Sequence, residues 1–216
     1  MNQWTISEIL RGTKGRLIQG LPENVVDGIS IDSRSAKPGE CFVAIRGSHH
    51  DGHRFIPDVL EHGALGIVAT EEFYGGYTVP SNAKVAFISV KNTQRALGGL
   101  GAWRRQKMGI PLIAITGTNG KTTTKEMIAA VLSQSFNVLA TAGNFNNLIG
   151  VPLTLLRLTE SHELAVLEFG MNVPGEIKVL TEISKPDVGV ITNIGKGHLE
   201  GLKTVEGVMK AKGELF

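Results

Sequence analysis

Apolar positions fall along this chain in two rhythms. Through residues 1–90, short β-type runs alternate with turns: Gly28-Ile29-Ser30-Ile31, Cys41 to Ile45, Leu65 to Ala69 and Val85 to Ile88. Between the second and third, Phe55, Val59 and Leu60 recur at the spacing of one helix face, which closes near Gly63. These elements predict a small α/β domain. Thr93 to Met108 predicts a helix, stopped by Gly109 and Pro111, and residues 91–110 are expected to link two halves. From 111 onward the strands become near-continuous apolar runs: Leu112 to Ile115, Val138 to Ala140, Leu164 to Leu167 and Val188 to Ile191. Such strands are buried on both faces, as in a parallel sheet covered by helices, and the helical stretches between them suit right-handed crossovers. Residues 111–216 therefore predict a doubly wound parallel sheet, with ligands beyond the carboxyl ends of its strands. Ala211 to Phe216 closes the sequence as an amphipathic helical stretch without capping glycine or tail. The expectation is a cut through a larger protein, leaving a terminal helix that frays for want of neighbours.

The most informative stretch joins the first of these buried strands to a helix. Ile113-Ala114-Ile115 runs into Thr116-Gly117-Thr118-Asn119-Gly120-Lys121-Thr122-Thr123, and a helix-forming segment from Lys125 to Leu132 follows. That is the layout of a phosphate cradle. Glycines let backbone N–H groups approach a polyphosphate, and the helix N-terminus adds roughly half a positive charge. Lys121 can reach the β- and γ-phosphates, and the Thr122 hydroxyl is placed to bind Mg²⁺. The usual loop has about four residues between its first glycine and Gly-Lys; here Gly117 and Gly120 enclose only Thr118 and Asn119. The reading is a nucleoside triphosphate site, and its bland rival is a Gly-rich turn that binds nothing.

Composition narrows the setting. Apolar content of 42% and charged content of 19% are those of a soluble α/β chain. A net charge of +2 without a basic block argues against nucleic acid as a main partner. The single cysteine, Cys41, excludes an internal disulfide framework and reads as a small buried hydrophobe. No cationic stretch followed by an apolar run opens the sequence, and no apolar run reaches the ~20 residues of a membrane span. A cytoplasmic protein follows; a monomer is the expectation for its oligomeric state.

Strand ends supply further candidates. Leu164 to Leu167 ends in Glu168-Phe169-Gly170-Met171-Asn172, where a nucleotide-bound Mg²⁺ would find a carboxylate; a surface salt bridge is the alternative. After Val188 to Ile191, Asn193 and His198 emerge at another strand end, either as ligands or as structural groups.

Taken together, Thr116 to Thr122, Asn144-Phe145-Asn146-Asn147-Leu148-Ile149-Gly150-Val151-Pro152, Glu168 to Asn172 and Asn193-Ile194-Gly195-Lys196-Gly197-His198-Leu199 resemble the central domain of Mur ligases. That family uses the shortened loop. In the first region Asp32-Ser33-Arg34, Lys37 to Gly47 and Asp51-Gly52-His53-Arg54-Phe55 resemble the branch that adds D-alanyl-D-alanine. The resemblance covers essentially the whole chain. It implies an α/β protein with a small amino-terminal UDP-binding domain (1–90) and a truncated doubly wound ATPase domain (111–216). The implied activity is ATP-dependent amide ligation in peptidoglycan precursor synthesis, joining D-alanyl-D-alanine to UDP-N-acetylmuramoyl-tripeptide through an acyl phosphate.

Carried over by position, the resemblance makes Gly117, Thr118, Asn119, Gly120, Lys121, Thr122 and Thr123 the ATP loop. Thr122 and Glu168 would share one Mg²⁺, and His198 would serve a second. Lys212 matches a lysine that the family carbamylates; its plain alternative is a solvated helix lysine. Lys121, His198 and Lys212 are thus the implied catalytic residues. Ser33 and Arg34 would hold UDP, and Asn144, Asn146 and Asn147 the sugar-peptide, the rival for the asparagines being turn chemistry. Asp51-Gly52-His53 could contact uridine or simply start a helix. Two other readings stay open: a diaminopimelate- or lysine-adding relative, or a non-catalytic nucleotide-binding fragment. The 216 residues alone are expected to be inactive.

Overall fold

The structure is a computed structural model, and it describes residues 3–47, 50–80, 84–197, 201 and 203–216. The chain divides into two compact units, Met1–Trp103 and Arg104–Phe216.

The first unit opens with β1 (Trp4–Thr5), α1 (Ile6–Thr13), β2 (Arg16–Gln19), β3 (Val25–Val26) and β4 (Ile29–Ser30). It continues through β5 (Cys41–Val43), a 3₁₀ turn (Gly52–Phe55), α2 (Ile56–Glu61), β6 (Gly66–Thr70), α3 (Glu71–Gly76) and β7 (Ala86–Val90). Its main sheet has the order β2-β7-β6-β5-β4, parallel except for β2 against β7, and β1 pairs separately with β3. Helix α1 starts where it does because Thr5 and Glu8 close a reciprocal cap: Glu8 N–H donates to Thr5 Oγ1 (3.2 Å), and Thr5 N–H to Glu8 Oε2 (3.0 Å). One sheet face buries Phe42, Ile67 and Phe87 against Ile56 and Val59 of α2. The expected helix face is corrected by one residue: Phe55 lies in the 3₁₀ turn and is 38% exposed, while Ile56 is fully buried. Pro57 explains the shift, since it belongs in a first helical turn and fixes the start of α2 at Ile56.

Helix α4 (Thr93–Met108) occupies the expected span, and the division between the units falls inside it. In the first unit α4 crosses α1 at Gly99, where a Cβ would stand 2.1 Å from the Gly12 carbonyl oxygen. Its last turns belong to the second unit. There Arg105 Nε donates to the Ser184 carbonyl (2.9 Å) and Nη2 to Asp187 Oδ2 (3.0 Å), which also accepts the Leu112 N–H (2.8 Å).

The second unit then runs β8 (Leu112–Thr116), α5 (Lys121–Leu132), β9 (Val138–Ala140), α6 (Gly150–Leu156) and β10 (Leu164–Glu168), followed by α7 (Glu176–Ser184), β11 (Val188–Ile191) and α8 (Val205–Gly213). All pairs are parallel, in the order β11-β8-β10-β9. Alternation divides each strand between two faces: Leu112, Ala114, Ala165 and Leu167 join a core with α6, α7 and α8, while α5 packs on the strands from the other side. The doubly wound parallel sheet of the sequence reading is present. The expected fraying of the terminal helix is corrected. Val208, Ala211 and Leu215 are buried in the central core, and Leu215 fills the space over Gly189 of β11.

Candidate functional site

The carboxyl end of β8 delivers the chain into a loop that only glycine can open. Gly117 has φ +150°, and a Cβ there would lie 1.9 Å from Thr192 Oγ1. Gly120, at φ +75°, precedes α5 as its N-cap. Among the described residues no side chain caps this helix, and its first turn carries no acid. The leading N–H groups and the positive end of the helix dipole are thus left for an anion. Lys121 Nζ donates to the carbonyls of Gly117 (3.0 Å) and Thr118 (3.2 Å), which holds its charge beside the loop.

Thr122, on the same first turn, donates its hydroxyl to Glu168 Oε2 across 2.8 Å. Glu168 ends β10 and is 2% exposed. Its other oxygen accepts Asn146 Nδ2 (2.9 Å), and its N–H donates to Thr141 Oγ1 (3.0 Å). Gly170 is required beside it, because a Cβ would meet the Asn146 amide at 2.7 Å. The pair Thr122–Glu168 offers oxygen ligands of the hard type that Mg²⁺ prefers. Among the described residues, no three His, Cys, Asp or Glu side chains gather at one point.

Lys212 reaches the same loop from α8. It is 1% exposed, and its Nζ donates to the Gly117 carbonyl at 2.8 Å. Burial, reinforced by the nearby Lys121 charge, brings its pKa down from 10.5 to about 8. The solvated-lysine alternative is thereby excluded. His198 lies outside the described residues.

The asparagines divide by role. Asn146 holds Glu168, whereas Asn147 Oδ1 accepts the Ile149 and Gly150 N–H groups (3.0 and 2.8 Å) and turns the chain into α6. Asn144 is exposed in the loop before them. Lys125 escaped the sequence reading altogether. It is fully buried on α5, donates to the Thr141 carbonyl (2.8 Å) and pairs with Glu126. Its signal was a lysine in the inward stripe it shares with Ala129, four residues on.

In the first unit Ser33 and Arg34 sit in the turn after β4. The Arg34 fork is taken up by Asp32: Nε donates to Oδ1 (2.9 Å) and Nη2 to Oδ2 (2.7 Å), with the guanidinium side chain 87% exposed. That contact holds the Asp32 carboxyl down at about 2. Asp51 Oδ1 accepts the His53 N–H (3.1 Å) and faces Nδ1 (2.6 Å), while Thr70 N–H donates to Nε2 (3.1 Å). An acceptor Nε2 places the ring proton on Nδ1. The Asp51-Gly52-His53 segment therefore starts the 3₁₀ turn, as its structural alternative had it. Burial pushes the Cys41 thiol up to about 12.

A parallel sheet, a glycine loop, an uncapped helix and a carboxylate one strand away define an α/β domain of the phosphate-loop class. Residues 115–216 match the profile described as Mur ligase middle domain, and residues 25–105 that of the Mur ligase family catalytic domain. The chain belongs to the Mur ligase family. It is 40% identical over 212 residues to the UDP-N-acetylmuramoyl-tripeptide--D-alanyl-D-alanine ligase of Escherichia coli (strain K12), covering 98% of this chain and 45% of that protein. The Bacillus subtilis (strain 168) protein of the same name is 39% identical over 214 residues, covering 98% and 46%. Among solved structures, a crystal structure of MurF from Acinetobacter baumannii superposes with TM-score 0.89 at 38% identity, covering 99% of this chain and 46% of that one. MurF ligase from Thermotoga maritima in complex with ADP gives 0.78 at 34%, covering 87% and 42%. The chain spans less than half the length of the curated relatives it matches. No described helix is long and apolar enough to cross a membrane.

Proposed function

We propose that this chain supplies the nucleotide site and the UDP-sugar site of an ATP-dependent ligase that joins D-alanyl-D-alanine to UDP-N-acetylmuramoyl-tripeptide. The observation that carries the reading is the 2.8 Å contact between Thr122 and Glu168 at the head of an uncapped helix. A peptide carboxylate is a poor acyl donor because oxide is a poor leaving group. Transfer of the ATP γ-phosphoryl group to it gives ADP and an acyl phosphate. The D-alanyl-D-alanine amine then attacks the acyl carbon, phosphate departs with the bonding pair, and the amine loses a proton.

The residues have work that fits this chemistry. The first-turn N–H groups of α5 and Lys121 bind and orient the phosphates, with positioning and charge neutralisation as their contribution. Thr122 and Glu168 would hold Mg²⁺, which when bound neutralises charge that develops on the phosphoryl oxygens; His198 is proposed for a second ion. Asn146 keeps the Glu168 carboxylate aimed at Thr122. A lysine held to about 8 is about one-tenth neutral at pH 7, far more than an ordinary lysine, and the neutral amine is the form that adds CO₂, so Lys212 suits carbamylation. Ser33 and Arg34 are proposed for UDP, the first unit being the substrate domain. The oligomeric state proposed is a monomer, and the location the cytoplasm.

Calorimetry of the chain with ADP or ATP, with and without Mg²⁺, tests the nucleotide site; Mg²⁺-dependent binding is expected. For the reaction, this chain joined to the remaining length its relatives possess is given UDP-N-acetylmuramoyl-tripeptide, ATP and one amine at a time. Product with D-alanyl-D-alanine, and none with diaminopimelate or lysine, is the expected result. The 216 residues alone should bind nucleotide without forming the amide.

A further inference from the structure

The phosphate loop is short by two residues against the usual form, yet it is not slack, because a neighbouring segment holds it. Thr118 N–H donates to the Asn193 carbonyl (3.1 Å). Asn119 N–H donates to Asn193 Oδ1 (3.1 Å), and Asn193 Nδ2 donates back to the Asn119 carbonyl (3.2 Å). Thr192 Oγ1 donates to that same carbonyl (2.6 Å), and Gly195 N–H donates to Thr118 Oγ1 (3.0 Å). The Asn193 amide thus grips one residue of the loop, Asn119, by both its N–H and its carbonyl.

We propose that Asn193 is a positioning residue that splits the loop's labour in two. The N–H groups of Thr118 and Asn119, which in a longer loop would be available to phosphate, are structural here. Anion binding falls to the first-turn N–H groups of residues 120–123 and to Lys121. The physical reason is chain length: two fewer residues leave no room for the loop to fold around the phosphates and also brace itself. The bracing is therefore borrowed from the end of β11. Nothing in the sequence motif assigns this duty, since Asn193 stands 74 positions from its partner. The inference deepens the nucleotide-binding reading and rests on it for its second half only.

Amide hydrogen exchange on the whole chain, without nucleotide, tests the first half. Thr118 and Asn119 N–H should be protected at least tenfold relative to Lys121 and Thr122. Asn193→Ala should abolish the protection of Asn119, while amides of Val166 and Leu167 in β10 keep theirs as a control for folding. Addition of ADP with Mg²⁺ should then shift and protect residues 120–123, leaving Thr118 and Asn119 as they were, and Asn193→Ala should bind ADP at least tenfold more weakly. Asn193→Asp keeps the acceptor but places an anion against the Asn119 carbonyl, and should retain part of the Asn119 protection. The proposal is overturned if Thr118 and Asn119 exchange freely until nucleotide is added, or if Asn193→Ala leaves both protection and affinity unchanged. Failure of ADP to bind at all, with the protection intact, would instead defeat the nucleotide reading and leave the brace standing. Should Asn193→Ala lose protection throughout β10, the exchange pattern of the unaltered chain decides the matter alone.

Discussion

In the first unit Arg34 and Arg46 stand in water beside their carboxylate partners, whereas in the second Lys125, Lys212 and Glu168 are closed off from it. Buried charge is expensive unless it is held by several hydrogen bonds, and surface pairs contribute little to stability. Each unit follows from that difference. The first keeps Arg34 and Arg46 hydrated, so a ligand would have to compete with Asp32 for the Arg34 fork. The second fixes its ionic groups before any ligand arrives, with Thr141 and Asn146 holding Glu168, and Gly117 receiving both ammonium groups. Preorganised groups reorganise little when charge develops, which suits phosphoryl transfer.

The strongest test of the contrast is Lys121→Ala. It should weaken binding of ADP with Mg²⁺ roughly 100-fold, since charge-assisted hydrogen bonds to phosphate are lost. Near-unchanged affinity by calorimetry would remove the loop from the site. Next, Lys125→Ala should lower the stability of the second unit by about 1–3 kcal/mol, because the Thr141 carbonyl is left buried without its donor. A denaturation midpoint equal to that of the unaltered chain would mean that water reaches this region.

A third expectation concerns pH. The ammonium of Lys212 has a pKa of about 8 in the folded chain against 10.5 for the unperturbed group. Unfolding therefore takes up a proton between those values. The penalty is complete below pH 8 and is relieved as pH rises to 10.5. Relative to Lys212→Met, the unaltered chain should gain stability across that window in denaturant titrations, and parallel curves would count against burial of the amine.

The smallest effect belongs to the first unit. Arg34→Ala should leave the thermal midpoint unmoved, while binding of a UDP-sugar falls roughly tenfold if one charge-assisted contact is lost. A large stability loss would erase the distinction between the units. Chemical-shift changes on adding UDP that cluster only after residue 110 would move the UDP site to the other one.

Local signals were the legible part. Long apolar runs disclosed β8, β10 and β11, Gly109 and Pro111 marked the end of α4, and the glycine loop announced α5. Thr5-Ile6-Ser7-Glu8 also spelled a helix start, yet α1 passed unread because β1 beside it is only two residues long. What the sequence kept hidden was partnership across distance. Lys125 resembles any helix lysine until Thr141 is seen beneath it, and Asn193 resembles a strand-end turn until it grips Asn119. Nor could the packing of α8 be read from its own residues, since its apolar side is answered by α7 and β11.

The contact from Lys212 to Gly117 spans 95 positions, and this has a consequence for how the molecule comes into being. The head of α5, with Lys121, can form from neighbouring residues within about a microsecond, on the timescale of an isolated helix. Its second ammonium group cannot arrive until β10 and β11 have docked on β8 and α8 has closed over them, an ordering that non-local topology makes slow. A chain caught midway would own a phosphate loop without Lys212 and without the Asn193 brace. Affinity for nucleotide should accordingly grow in two kinetic phases during refolding, the later one keeping pace with burial of Leu215.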